Sequence, residues 1–118
     1  MWFFEGSHLL PEDLVEDLTD PQHEVYLSDV SLLELVIKHQ LRKLDLPKPP
    51  SRFVLPLARK HGIDLWPLDT ATIFGLEALP LLHRDPFDRL LVSQARVHRL
   101  TLVTPDRQIQ RYDVAWRW

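Results

Sequence analysis

The sequence predicts a three-layer α/β/α domain around a mainly parallel sheet, and three observations carry that reading. Helix-like and strand-like segments alternate from one end to the other, the pattern of right-handed βαβ units. Short apolar runs at 24–27, 63–68 and 100–104 are each followed by a residue suited to cap a helix, Ser28, Asp69 and Asp106 among them. At 118 residues the chain is long enough to bury one core without staples, so a single domain over 1–118 is expected.

Each element has its own local reason. Residues 11–18 read as a short helix with Pro11 at its first turn and Glu12 and Asp13 at the positive end of its dipole. Residues 24–27 form a strand, and a strong helix runs from Asp29 to about Leu41, with Ser28 or Ser31 as its cap. The prolines between Leu44 and Pro50 forbid a continuous helix there. Ser51 then caps a helix to His61, kinked at Pro56, with Gly62 just past its end. A strand at 63–68 leads to Asp69, which opens a helix through Ala78, and 79–84 is loop. Asp85 as cap and Pro86 at the first position start a helix to about His98, with Leu90, Leu91, Val92 and Ala95 on its apolar side. A strand at 100–104, a short helix at 106–112 and a last strand at 114–116 complete the chain.

Composition narrows the functional classes. There is no cysteine, so neither a disulfide framework nor a thiolate zinc site can form; this is compatible with a cytoplasmic location. No apolar stretch approaches the roughly 18 residues that a membrane span needs, and Met1-Trp2-Phe3-Phe4-Glu5 lacks the basic start and apolar core of a signal peptide. A net charge of −3 argues against coating nucleic acid by bulk electrostatics. Local grip is still available from basic clusters at Lys38, His39, Arg42 and Lys43, at Arg59, Lys60 and His61, and at Arg96, His98 and Arg99. Solvated helix faces are the commoner reason for such clusters.

The chemistry concentrates in acidic residues. Glu34 lies among apolar neighbours from Leu32 to Ile37, and a buried carboxylate needs a partner. Ser31 with Glu34 also fits a capping box, and Glu34 with Lys38 a favourable i, i+4 pair. Asp85 and Asp88 stand at the cap and third position of one helix, where capping alone favours both. Asp106 follows a strand and caps the next helix equally well. Carboxylates at strand ends and helix starts converge on the rim of an α/β sheet, where a hard divalent cation bridges them. His83 suits a general base or phosphate contact, although loop histidines are more often simply exposed. The histidines show no His-x-x-x-His pair. With glycines only at 6, 62 and 75 there is no phosphate-cradling loop, and no serine sits in a nucleophile elbow.

Taken together, the segments 25–38, 41–47, His83-Arg84-Asp85-Pro86-Phe87-Asp88-Arg89-Leu90-Leu91 and Leu100-Thr101-Leu102-Val103-Thr104-Pro105-Asp106 resemble the PIN-domain ribonucleases. The likeness is specifically to the VapC-type toxins of bacterial toxin–antitoxin pairs. The resemblance implies a PIN-like fold and Mg²⁺- or Mn²⁺-dependent endoribonuclease activity. Glu34, Asp88 and Asp106 match three of the family's four catalytic acids, with Glu34 orienting the attacking water and Asp88 and Asp106 holding the metal. Asp85 matches a further acid of this subgroup and Thr104 a hydroxyl beside the site. Lys38, Arg84 and Arg89 are candidates for phosphate-backbone contacts or charge balance. The implied partners are RNA, a cognate antitoxin protein and a second copy of the chain, with no membrane.

One departure is plain. The family begins with a central strand ending in an aspartate, whereas Met1-Trp2-Phe3-Phe4-Glu5-Gly6-Ser7 resembles the helix that follows it. The expectation is therefore a PIN-like domain lacking its first strand and first acid, with weakened activity. A chain start downstream of that strand is favoured over a degenerate toxin or a partner strand, because every later motif is intact. The competing function is a catalytically inactive PIN-like module that binds an antitoxin or dimerises, Trp2, Phe3, Phe4 and Trp66 contributing to such a surface. A blander reading is a regulatory α/β domain whose acids are all caps.

Overall fold

A computed structural model describes residues 12–118. The expectations placed on Met1 to Pro11, including the missing strand, lie outside the described residues. The chain divides into two compact units, Met1–Trp66 and Pro67–Trp118.

In the first unit, helix α1 covers Glu12–Thr19 and buries Leu14. Strand β1, Tyr26–Ser28, pairs in parallel with β2, Asp64–Trp66, so that Tyr26 faces Asp64 and Ser28 faces Trp66. Helix α2, Asp29–Gln40, begins directly after β1, and Ser28 is its cap: the Ser28 hydroxyl accepts from the Val30 N–H at 3.1 Å. Ser31 is instead a buried helical residue, so the Ser31–Glu34 capping box does not form. Helix α2 is buried on one side only, since Val30, Ser31, Glu34 and Leu35 are buried while the apolar Leu33 and Val36 are exposed.

Helix α3, Pro50–Lys60, starts one residue before the expected cap. Pro49 holds the cap position and Pro50 the first turn, so Ser51 lies inside the helix. Proline's fixed φ and missing N–H suit a first turn, whose donors have no helical acceptor anyway. Pro56 is accommodated within the helix. At its far end Gly62 takes φ +67°, and the N–H groups of Gly62 and Ile63 return to Arg59 and Ala58 at 3.1 and 2.9 Å. That reciprocal closure requires a left-handed residue. The core of this unit gathers Leu27, Leu35, Val54, Ala58 and Ile63.

In the second unit Asp69 caps α4, Thr70–Gly75, which tightens into a 3₁₀ turn at Leu76–Ala78 rather than continuing as one α-helix. Helix α5, Pro86–His98, carries four consecutive buried residues, Val92, Ser93, Gln94 and Ala95. The two polar ones are satisfied by backbone: Ser93 Oγ donates to the Thr72 carbonyl at 2.6 Å and Gln94 Nε2 to that of Pro67 at 3.1 Å. Arg99 ends α5 in the left-handed region at φ 56°. Strand β3, Leu102–Val103, pairs in parallel with β4, Trp116–Arg117, and α6, Arg107–Gln110, lies between them in sequence. Leu79, Val92, Ile109 and Tyr112 form this unit's core. The expected α/β class with parallel strands is therefore observed, though the described strands are shorter than expected and form two separate pairs.

Candidate active site

The start of α5 is built by Asp85. Its Oδ1 accepts from the N–H groups of Phe87 and Asp88 at 2.9 and 3.1 Å, while Pro86 fills the first helical position. This local cap fixes the backbone of Asp88 one turn into the helix. The Asp88 side chain is 15 % exposed. Burial, first, pushes its carboxyl above the ordinary value of 3.8, and the negative charges of Asp85 and Asp106 push the same way. His83 opposes them, its Nε2 lying 3.2 Å from Asp88 Oδ2.

Asp106 repeats the capping theme at α6, its Oδ1 accepting from the Gln108 N–H at 2.8 Å. Thr104, buried, holds the turn before it: its hydroxyl accepts from the Asp106 N–H at 3.0 Å, and its carbonyl accepts from Gln110 Nε2 at 3.1 Å. Thus the second unit brings Asp85 and Asp106 within electrostatic reach of Asp88, with Thr104 supporting Asp106.

Two arginines flank this group. Arg84 is exposed. Arg89 donates through Nη2 to the Leu79 carbonyl at 3.3 Å, and its Nε is buried without a hydrogen-bond acceptor. Leu81, Leu82, His83, Arg84 and Arg89 line an open depression, a cationic lip beside the acids.

Glu34 belongs to the first unit. It is buried on the inner face of α2, and Lys38 Nζ lies 3.9 Å from its Oε2, the expected i, i+4 pair in a loose form. Among the described residues, no three of the histidine, aspartate and glutamate side chains come close enough to hold a metal ion together. Within the second unit, Asp85, Asp88 and Asp106 are therefore not gathered as three ligands around one point. The caps supply part of the reason, because Oδ1 of Asp85 and of Asp106 is turned onto its own helix's N–H groups.

The donor chemistry nevertheless suits a hard cation. All candidate ligands are oxygens, and Asp88 is a desolvated carboxylate crowded by like charges, a condition that a positive ion relieves. A sparse carboxylate set matches Mg²⁺, which keeps several of its waters and takes one or two protein carboxylates.

One residue of the arrangement, Tyr112, was not expected as functional, and His83, weighed as a general base or phosphate contact, is placed differently from the exposed loop position that is commoner for such a histidine. His83 is not a solvent-exposed loop histidine: its side chain is 14 % exposed, and Nδ1 lies 2.8 Å from the hydroxyl of Tyr112. Tyr112 is a core residue whose ring meets His83 at a tilt of 56°. Twenty-nine positions separate the two, and no local pattern signals such a pair. A second carboxylate–imidazole contact, Asp69 Oδ2 to His98 Nε2 at 2.7 Å, joins the start of α4 to the end of α5.

No curated protein matches the chain. The family model described as the PIN domain, however, matches residues 1–115. The match takes in both acid-bearing helix starts and the helix of Glu34, and on it the chain belongs to the PIN-domain family.

Proposed function

We propose that this chain is a metal-dependent endoribonuclease toxin of a toxin–antitoxin pair. PIN domains are generally nucleases, and one observation carries the finer reading: Asp88, largely buried, is crowded by Asp85 and Asp106 and braced by His83. A carboxyl group placed against burial and like charge is costly for stability alone. It is useful where a cation and a phosphodiester meet. Asp88 and Asp106 hold Mg²⁺ or Mn²⁺, with Asp85 adding negative potential. When bound, the ion supplies Lewis acidity and stabilises charge developing on the phosphoryl oxygens. Arg84 and Arg89 contact the flanking phosphates of the RNA. The resemblance to the family assigns Glu34 the orientation of the attacking water, with Lys38 balancing its charge. The antitoxin, a second copy of the chain as dimer partner and a cytoplasmic location belong to the same proposal.

The test is cleavage of a structured RNA by the 118-residue chain in Mn²⁺ and in Mg²⁺, beside an Asp88→Asn control. Cleavage that needs the ion and disappears in the control supports the proposal. Cleavage that survives both chelation and Asp88→Asn refutes it. A second reading, a non-catalytic binding module, draws on the exposed Ile73, Phe74 and Val97 of the second unit. A folded chain that dimerises or captures an antitoxin but cuts no RNA with either ion would favour it.

A further inference from the structure

Asp88 is braced from behind by a two-step relay that crosses the second unit. Tyr112 is 4 % exposed in the core formed with Leu79, Val92 and Ile109, so its hydroxyl is delivered from a fixed ring. That hydroxyl lies 2.8 Å from His83 Nδ1, and the opposite ring nitrogen lies 3.2 Å from Asp88 Oδ2. The direction of the relay follows from inventory. An ionised carboxylate only accepts, so Nε2 must carry a proton and donate it to Oδ2. In a neutral imidazole Nδ1 is then an acceptor, and the one donor placed on it is the Tyr112 hydroxyl. In a neutral ring the reverse polarity, with the proton on Nδ1, would leave Nε2 an acceptor and require Asp88 to be protonated, a form unable to hold a cation.

We infer that His83 and Tyr112 are positioning residues: Tyr112 selects the Nε2–H form of His83, and His83 fixes the orientation of the Asp88 carboxylate so that its other oxygen is free for a ligand. The arrangement inverts the usual support of a metal-binding histidine by a carboxylate. Here the carboxylate is the ligand and the histidine is its support, with the same consequence that loss of the supporting contact weakens ion affinity about 10-fold or more. The inference rests on the proposed function for what the freed oxygen binds, but not for the relay itself.

The test uses the full chain and Tyr112→Phe, which keeps the core ring and removes only the hydroxyl. In metal-free protein at pH 8, imidazole ¹⁵N resonances report the protonated nitrogen of His83 directly. The expected result is an Nε2-protonated ring whose Nδ1 resonance moves in Tyr112→Phe and whose Nε2 resonance moves in Asp88→Asn. Mn²⁺ titration calorimetry is then expected to show binding weakened about 10-fold in Tyr112→Phe, while its unfolding remains cooperative. A neutral ring protonated on Nδ1, or resonances indifferent to both substitutions, overturns the relay. Coupled resonances with an unchanged Mn²⁺ affinity overturn the positioning role. If the unaltered chain takes up no Mn²⁺ while the resonances couple as expected, the relay stands and the metal-dependent reading falls.

Discussion

Asp85 is both a helix cap and an acid of the candidate site, and two substitutions separate these roles. Its Oδ1 accepts two backbone N–H groups at 2.9 and 3.1 Å. Asp85→Ala removes that acceptor, which costs about 1 kcal/mol for a typical N-cap. It also removes a favourable charge–dipole interaction of about 0.5 kcal/mol. The sum is about 1.5 kcal/mol. For a chain of this size each kcal/mol is worth roughly 4 °C, so the midpoint of thermal unfolding falls by about 6 °C at most. Asp85→Asn keeps the acceptor and loses only the charge. In both variants part of the charge loss is returned because Asp88 no longer faces the Asp85 carboxylate, so about 1.5 kcal/mol is the upper value for Asp85→Ala and ~0.5 kcal/mol that for Asp85→Asn. Urea unfolding followed by tryptophan fluorescence measures both, with the slope against urea expected to stay the same. If Asp85→Asn costs as much as Asp85→Ala, the two backbone bonds are not what holds the start of α5 and the argument fails. With stability preserved in Asp85→Asn, a fall in Mn²⁺ affinity is assignable to the charge.

Further outcomes are expected elsewhere. Asp88→Asn abolishes metal-dependent cleavage yet leaves the metal-free protein at least as stable near neutral pH. The sign follows from its raised carboxyl: the folded state binds the proton more tightly, so in the unsubstituted protein this group withdraws stability as pH rises from 3.8 through the folded value. Urea titrations of the two proteins across that range check it. Asp69 behaves oppositely. Thr72, whose N–H donates to Asp69 Oδ1 at 3.0 Å, and then His98 hold its carboxyl below 3.8; the Thr72 hydroxyl itself finds no hydrogen-bond partner. Its contribution is present above 3.8 and disappears as pH falls through the lower folded value, so Asp69→Asn flattens the acid limb of the stability curve. Gly75→Ala drives a methyl group into Ser93 Oγ and within 3.1 Å of Val97. Overpacking of ~2 kcal/mol and the strained Ser93–Thr72 hydrogen bond at ~1 kcal/mol outweigh a helix-propensity gain of ~1 kcal/mol. The net loss of about 2 kcal/mol is partly recovered in Gly75→Ala with Ser93→Ala, and chemical denaturation reads both.

What was legible beforehand was local. Asp85 with Pro86, Asp69 and Asp106 each announce a helix start within three residues, and all three cap as expected. The choice between Ser28 and Ser31 was open in sequence because both precede the same apolar run; the end of β1 decides it by making Ser28 the last extended residue. Ser51 misled because a proline pair can start a helix without a side-chain cap. Strand lengths were overestimated because apolar runs mark burial, whereas a strand ends where its hydrogen-bonded neighbour ends. At the candidate site the acids were visible from their motifs. The support of Asp88 by His83 and Tyr112 was not, because it exists only once α5 and the segment after α6 have closed on the same core.

The burial of Asp88 among like charges also shapes how this protein can be altered. Any selection for heat resistance alone, whether in a laboratory library or through relaxed use in a genome, rewards the removal of that carboxylate. The variants it enriches would be sturdier and silent. A hardened form that still works must therefore be sought under joint selection, with the gain placed away from the opening turn of α5.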